Sequence, residues 1–430
     1  AGLFAALVLA QRGADVTLVE RGEPVESRVK KVQQFWSRGV FDPVSNVQFG
    51  EGGAGTFSDG KLTTRVNSPW NRFVLQTFVD CGAPEDILVT AKPHLGTDLL
   101  RRVLIRFRHK LQAADVDVRF RSRLTGIEAK DGRICAGIIN DSDRLEADAL
   151  VLAPGHSARD TYAMLDASGV KMEQKPFAVG FRVEHPAELI STIQYGLPRH
   201  PNLPVADYAL SCKDHESGRS VYSFCMCPGG EVITACSEAD GMVVNGMSAH
   251  LRDSDWSNSA LVVSVDAADF DGEDVLAVVR FQQKWERLAF QAGGGNFIAP
   301  AQNLLTFLGT GTGAVRSTCR PGVSEADLKS LLPAEVIGAL GRSIPHFGRR
   351  MKGFVTAEAV LVGVETRTSA PLRILRNEQG ESVSHAGLFP CGEGAGYAGG
   401  IMSAALDGIR TAERIINKYN HGVSSEKSFC

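Results

Sequence analysis

The sequence predicts an α/β protein: a parallel-sheet, dinucleotide-binding domain of Rossmann-like design, interrupted by an inserted, mainly β (α+β) domain. Three observations predict it. An apolar helical run from Gly2 to Ala10 leads through Gly13 into an apolar strand that ends on Glu20. A second strand–glycine–helix unit closes the chain, from Gly387-Leu388-Phe389 through Pro390-Cys391-Gly392-Glu393-Gly394-Ala395-Gly396-Tyr397-Ala398-Gly399-Gly400-Ile401 to Gly408. Between them, from Lys175 onward, strand–turn–strand patterns dominate. The expected division gives residues 1–168 and 384–430 to the nucleotide domain and 169–383 to an inserted substrate or cap domain.

Ala1 to Arg12 is helical by composition, and Gly13 suits its end. Asp15-Val16-Thr17-Leu18-Val19-Glu20 then reads as a buried strand closing on an acid. Helix, glycine, strand and acid make the second half of a dinucleotide-binding βαβ unit. Gly2 falls where the third fingerprint glycine belongs, letting helix and strand pack closely. Glu20, eighteen residues on, suits a carboxylate that accepts hydrogen bonds from an adenosine ribose. The first strand and the first two fingerprint glycines are not in the sequence. With no initiating Met, it is read as a fragment whose targeting signals would lie upstream of Ala1.

Five glycines fall between residues 50 and 60, too many for a helix or strand interior. Such a loop offers backbone N–H groups, with Thr56, Ser58 and Lys61 as side-chain donors, to a phosphate or a ring carbonyl. Residues 98–112 read as an amphipathic helix, whose basic run from Arg101 to Lys110 is its wet face. Val116 to Phe120 is a short strand. Leu124–Ala129 and Ile134–Ile139 form a hairpin turned by Asp131-Gly132. Glu146 to Ser157 is a buried strand that breaks at Pro154-Gly155, and His156 is a loop histidine.

In the insert, Ala178–Glu184, Val221–Cys227 and Glu231–Cys236 are strand-like. Cys225 and Cys227, two apart, are expected on opposite faces and unpaired. Cys227, next to the Pro228-Gly229-Gly230 turn, is the better redox candidate. Helices are expected over Phe281–Gln291, Glu325–Leu332 and Ala334–Ile344, a loop over Gly309–Gly313, and a strand over Phe354–Val364. Glu365 and Arg367 would share a face as an ion pair. At the C-terminal turn, a helix starting near Gly400 presents free N–H groups and a positive dipole end to an electron-rich group such as a reduced flavin.

Bulk properties exclude other classes. The 430-residue chain is 43% apolar and 22% charged, ordinary for a globular protein, and its net charge of −3 gives no signal for nucleic acid or anionic membrane. Nine cysteines are scattered without a CxxC pair or metal-ligand spacing, so no metal is expected and a reducing compartment, the cytoplasm, is the default. No apolar run approaches the ~18 residues of a membrane span.

Taken together, Ala1–Ala10 with Val19-Glu20-Arg21-Gly22, Phe49–Leu62, Val179–Glu184, Phe224–Gly230, Val364–Ile374 and Pro390–Gly408 resemble a family of FAD-dependent dehydrogenases. These are NAD(P)/FAD-dependent oxidoreductases of two-dinucleotide-binding-domain architecture, mostly uncharacterised. The resemblance implies FAD, with Gly2, Glu20 and Arg21 on the adenosine half and Thr56, Ser58 and Lys61 toward the pyrophosphate or flavin. Gly155 would stand beside the cofactor, Gly392 and Glu393 by the ribityl and pyrophosphate, and Ala398, Gly399, Gly400 and Ile401 beneath the ring edge. It also implies hydride transfer to or from a small molecule, with NAD(P)H as a donor to consider; a flavin-binding scaffold without redox turnover is the alternative. Met226–Gly230 and Glu365–Arg367 would wall the substrate side, making Cys227, Lys61 and Arg367 the catalytic candidates.

Overall fold

The computed structural model describes residues 1–425. Helix Gly2–Gln11 is apolar on every side, so it must be buried all round. Phe4 through Leu9 are all buried, and the helix stops just before Gly13, which takes φ +82°. Thr17–Val19 pairs in parallel with Asp117–Arg119, and Leu388–Pro390 in parallel with Leu150–Leu152. Helices Gly96–Gln112 and Ile401–Ser425 pack beside the first helix. Their shared core includes Phe4, Leu7, Val103, Phe107, Phe389, Leu406 and Ile409, each side chain contributing about 1.5–3 kcal/mol on burial. Three antiparallel strands, Leu124–Lys130, Arg133–Ile139 and Asp143–Glu146, form a meander. Its first turn runs through Asp131 and Gly132, both at positive φ, as a two-residue hairpin turn demands.

The other half is built on a seven-stranded sheet. Its order is Val323–Glu325, Ala299–Asn303, Val360–Glu365, Phe177–Pro186, Trp256–Val265, Ser220–Cys227 and Ser211–Lys213, antiparallel except for the first pair. Phe177–Pro186 and Trp256–Val265 are paired along their whole length and buried on both faces, so the polar Arg182, Glu184, His185 and Asn258 within them are buried too. Helices Ala277–Ala292 and Ala334–Arg350 and the hairpin Glu231–Thr234/Val244–Met247 pack on this sheet. Where the chain enters and leaves this half, Met172–Gln174 pairs with Leu372–Ile374.

Several elements differ from expectation. Val25–Arg38, Asn71–Asp80, Arg159–Ala167 and Ala187–Tyr195 are helices that the sequence reading does not place. In the first of these an arginine, Arg28, sits within the buried stripe of Val25, Val32, Phe35 and Trp36 and breaks the apolar pattern. Glu325–Leu332 is not a helix. A strand ends at Glu325, Asp327 caps a short 3-10 turn by accepting from Lys329 N, and a helix starts only after Pro333, running through Pro345 to Arg350. The strand expected from Phe354 begins at Val360, and that expected over Glu146–Ser157 is regular only over Leu150–Leu152.

Candidate active site

Three glycine turns meet at one place. The first is the loop after Phe49. Glu20 ends its strand with Oε1 accepting from Gly22 N (2.8 Å) and Gly50 N (2.9 Å), so one carboxylate oxygen joins the strand end to the loop. The backbones are close enough here that a Cβ on Gly22 would lie 2.5 Å from Gly50 Cα. Arg21 lays its guanidinium over the Phe49 ring at 4.2 Å and pairs with Asp160 at 2.7 Å. Beneath the loop, fully buried Arg28 donates to the carbonyls of Asn46, Val47, Gly50 and Glu51 and to Thr56 Oγ1. Sequence reasoning missed Arg28; a lone arginine in an apolar stripe is the signal that could have found it. Thr56 donates its hydroxyl to Glu51 O (3.0 Å), and Ser58 donates to Gly55 O (2.7 Å) while accepting from Gly60 N. Both hydroxyls are thus spent inside the loop.

The second turn is at the C-terminal end. Gly392 N donates to Asp407 (2.8 Å), whose carboxylate also takes two bonds from Arg376. A Cβ on Gly392 would sit 2.5 Å from Ala1 Cβ, and one on Gly408 2.3 Å from Ala1 O. These are the positions where the first helix needs glycine. At Gly2 itself an added Cβ would meet only ordinary contacts, 3.7 Å to Leu18 and 3.8 Å to Ala153, so close packing is not the reason for that glycine. The third turn, at Gly155, crosses the second backbone to backbone. A Cβ on Gly394 would lie 2.4–2.5 Å from Gly155 atoms, and Tyr162 Oη donates to Gly394 O at 2.8 Å.

The chain ends meet on the glycine loop. Gly50 is bonded to Glu20, and five residues on, a Cβ at Gly55 would be 3.3 Å from the side chain of Ile401, the first residue of the last helix. Gly53, Gly155, Gly399 and Gly400 front open space, with no atom within 4 Å of where a Cβ would be. Gly400 (φ +142°) and Gly155 (φ +76°) also hold backbone conformations that other residues resist. Glu393, half-buried at the second turn, takes no hydrogen bond from a described side chain. Burial raises its carboxyl to about 7 against the partial relief of Lys175.

Lys61 bridges to the sheet half: its ammonium pairs with Asp59 at 2.8 Å and donates to Met226 O. Asp59 also holds Arg252 and Ser248. Burial alone would raise Asp59, but Lys61 and Arg252 overcome it and hold the carboxyl at about 2. Arg367 does not pair with Glu365. Its partners are Glu286 (2.6 Å), Ser157 and Ser237, whereas Glu365 takes Arg182 (2.5 Å). Glu286, with no exposure, accepts from Arg159, Arg367 and Thr366 together. His156 sits beside that cluster. Burial, with Arg367 and Arg159 adding, pushes its imidazole down to about 4, so it is neutral at neutral pH. Cys227 is fully buried; residues two apart on a regular strand share a face, so the opposite placement expected for Cys225 and Cys227 does not follow from alternation, and here the pairing slips between Phe224 and Cys227. Ala398 lies half-buried just ahead of Gly399.

Among the described residues no group of His, Cys, Asp and Glu could hold a metal ion, and no helix is long and apolar enough to cross a membrane. A family model described as FAD-dependent protein, C-terminal domain-like, matches residues 176–368. A protein of Clostridium beijerinckii, itself described only as uncharacterized, is 48% identical over 425 residues, covering 98% of this chain and 80% of the relative. Solved structures with a likeness include the flavin-dependent brominase Bmp2 (12% identical, TM-score 0.41, 97% of this chain and 77% of that one). CtdE in complex with FAD is also 12% identical, with TM-score 0.35 and coverage of 96% and 81%. A glycine oxidase from Bacillus cereus is 10% identical, with TM-score 0.34 and coverage of 97% and 92%. At TM-scores this low, none of the three bears on what this chain does. The near full-length relative and the matched model together place the chain in the family of FAD-dependent flavoproteins, to which it belongs.

Proposed function

We propose that the chain binds one FAD, extended between these turns, and acts as an FAD-dependent oxidoreductase. It would pass a hydride equivalent to or from a small-molecule substrate. The observation that carries the reading is that Glu20 and Ile401, at opposite ends of the sequence, border the same glycine loop. The donor set fits such a cofactor: four glycines front open space, and Glu393 holds a carboxyl without a hydrogen-bonding side chain. Bound there, the flavin supplies a ring that takes up or gives up a hydride equivalent.

The remaining work falls to the chain. Glu20 keeps Oε2 outside its two backbone bonds, free to accept from a ribose hydroxyl, and Arg21, fixed on Phe49, stands next to it on the adenosine side with Gly2. Gly155, Gly392 and Glu393 flank the ribityl and pyrophosphate. Ala398, Gly399 and Gly400 bring the start of the last helix, with its unpaired N–H groups, to the ring edge beside Ile401. Thr56 and Ser58 serve by shaping the loop, and Lys61 is the cation between loop and substrate side. Residues 1–168 and 384–430 form the cofactor domain in this reading and 169–383 the substrate domain, with NADH or NADPH as the donors to test.

The experiment is an FAD titration of the purified full chain, followed by anaerobic addition of NADH or NADPH. The expected result is a yellow protein bleached by a donor or substrate. A colourless protein that refuses added FAD overturns the reading. A bound flavin that no donor reduces replaces it with a scaffold role.

A further inference from the structure

The Ser220–Cys227 strand carries two thiols that the cofactor reading leaves unused. Its pairing with Trp256–Val265 is regular from Val221 to Phe224, then slips, so that Cys227 stands opposite Asn258. Within the slip Cys225 takes φ +43°, and a bulge of this kind bends the strand and re-aims the side chain it carries. The Cys227 sulfur folds back on Cys225, donating to its backbone carbonyl. Cys227 is the inner one. It is fully buried, with Sγ 3.4 Å from Cys225 O and 3.9 Å from Arg182 Nη1, and a Cβ at Gly246 would be 2.9 Å from that sulfur. Cys225 is the outer one, half-buried. Two cations hold the segment between them. Arg182 donates to Cys225 O at 2.9 Å, and Lys61 to the carbonyl of Met226, the residue between the cysteines.

We propose that Cys225 and Cys227 form a redox-active thiol pair that reduces a small organic disulfide, Cys225 attacking and Cys227 resolving. The Cys225 thiolate attacks one sulfur of the substrate and breaks its S–S bond. The first substrate thiolate leaves, taking a proton from solvent, and Cys225 is held in a mixed disulfide. Cys227 gives up its proton and attacks Cys225 Sγ, releasing the second substrate thiol and closing a Cys225–Cys227 disulfide. Two electrons pass from the protein dithiol to the substrate, one S–S bond forming as another breaks.

The electrostatics agree with these roles. The hydrogen bond from Cys227, then Lys61 and Arg182, hold the Cys225 thiol well below its usual range against burial and Asp59, while the bond to Cys225 and burial push Cys227 up against Lys61 and Arg182, leaving it the protonated partner. Other buried cysteines behave oppositely: burial pushes Cys236 up to about 12 and Cys391 to about 11, as for inert structural thiols. Access only through a half-buried sulfur favours a small disulfide over a protein one. The inference does not rest on the FAD reading, because the exchange half-reaction needs only the two cysteines.

The test uses the full chain, reduced and freed of reductant, with hydroxyethyl disulfide as probe, read by peptide mass and by released thiol. The expected wild-type result is loss of two hydrogens from the peptide carrying both cysteines, with two mercaptoethanols released per chain. Cys227→Ser should stop at a mercaptoethanol adduct on Cys225 with one released. At pH 6.5, alkylation of Cys225 should outpace that of half-buried Cys135 and Cys212 several-fold, because a lowered thiol pKa raises the thiolate fraction by more than it lowers nucleophilicity. Lys61→Ala should shrink that margin. A wild-type chain that stays a dithiol, one that accumulates a stable adduct, or a Cys225 no faster than Cys135 would each overturn the proposal. Peptide mapping of the wild type needs no variant to fold.

Discussion

Glu286→Ala should be the most damaging single truncation near these turns. The Glu286 carboxylate has no exposure and accepts five hydrogen bonds: two from Arg159 (2.7 and 2.9 Å), two from Arg367 (2.6 and 3.0 Å) and one from Thr366 (2.5 Å). Taken singly, bonds to a charged group are worth about 1.5–3 kcal/mol each, but summing them would overshoot. Arg159 keeps Glu238 and Gln282, and Arg367 keeps Ser157 and Ser237. What remains is the cost of two guanidiniums left short of charge in a buried site, about 3–5 kcal/mol, out of a total stability on the order of 5–15 kcal/mol. Burial opposes this carboxylate, but Arg159 and Arg367 depress its pKa far below the unfolded value. Its contribution is therefore present above about pH 4.3 and is lost as pH falls further. Urea unfolding of wild type and Glu286→Ala at pH 7 and pH 3 checks both points: the gap should be large at pH 7 and narrow at pH 3. A variant within ~1 kcal/mol of wild type at pH 7 would refute the claim that this cluster is electrostatically dependent on one carboxylate.

Three further outcomes follow from the site. Gly399→Val should leave the melting of FAD-free protein unchanged, because nothing lies within 4 Å, yet weaken FAD binding at least ~10-fold, about 1.4 kcal/mol; equal affinity by titration would remove the helix start from the cofactor site. Glu393 is raised to about 7 by burial, so FAD-free stability should fall by about 2 kcal/mol between pH 4.5 and 7, allowing for partial exposure, and Glu393→Gln should flatten that slope in urea melts. Asp59, held at about 2, gives stability present above pH 4 and lost toward pH 2, about 2 kcal/mol that Asp59→Asn should abolish along with its pH dependence.

What was legible in the sequence is local. Gly13, Gly155 and Gly400 mark turns because each takes a φ that other residues resist. The first helix is legible as an unbroken apolar run, Gly2 to Ala10, which must be buried all round. What was not legible depends on partners far along the chain. Arg182 and Glu365 are 183 residues apart, Arg367 and Ser157 210, so spacing pairs Glu365 with Arg367 wrongly. Thr56 and Ser58 look like ligand donors until the carbonyls of Glu51 and Gly55 are seen to take them. The Cys225 bulge exists only against Trp256–Val265, and strand alternation read from one strand must miss it.

Three charged contacts join the sheet half to the glycine turns. Asp59 binds Arg252 and Ser248, Lys61 reaches Met226, and Arg367 holds Ser157 just past the Gly155 turn. Asp59 and Arg367 are almost wholly buried, where water cannot replace a broken partner. Swinging one half away from the other would break all three contacts at once, each removing a charged hydrogen bond worth about 1.5–3 kcal/mol. Local rearrangement of the exposed Gly399-Gly400 segment and of Gly53 breaks none of them. The turns are therefore held in register by these contacts, and adjustment to a ligand belongs to the glycines rather than to a hinge between the halves.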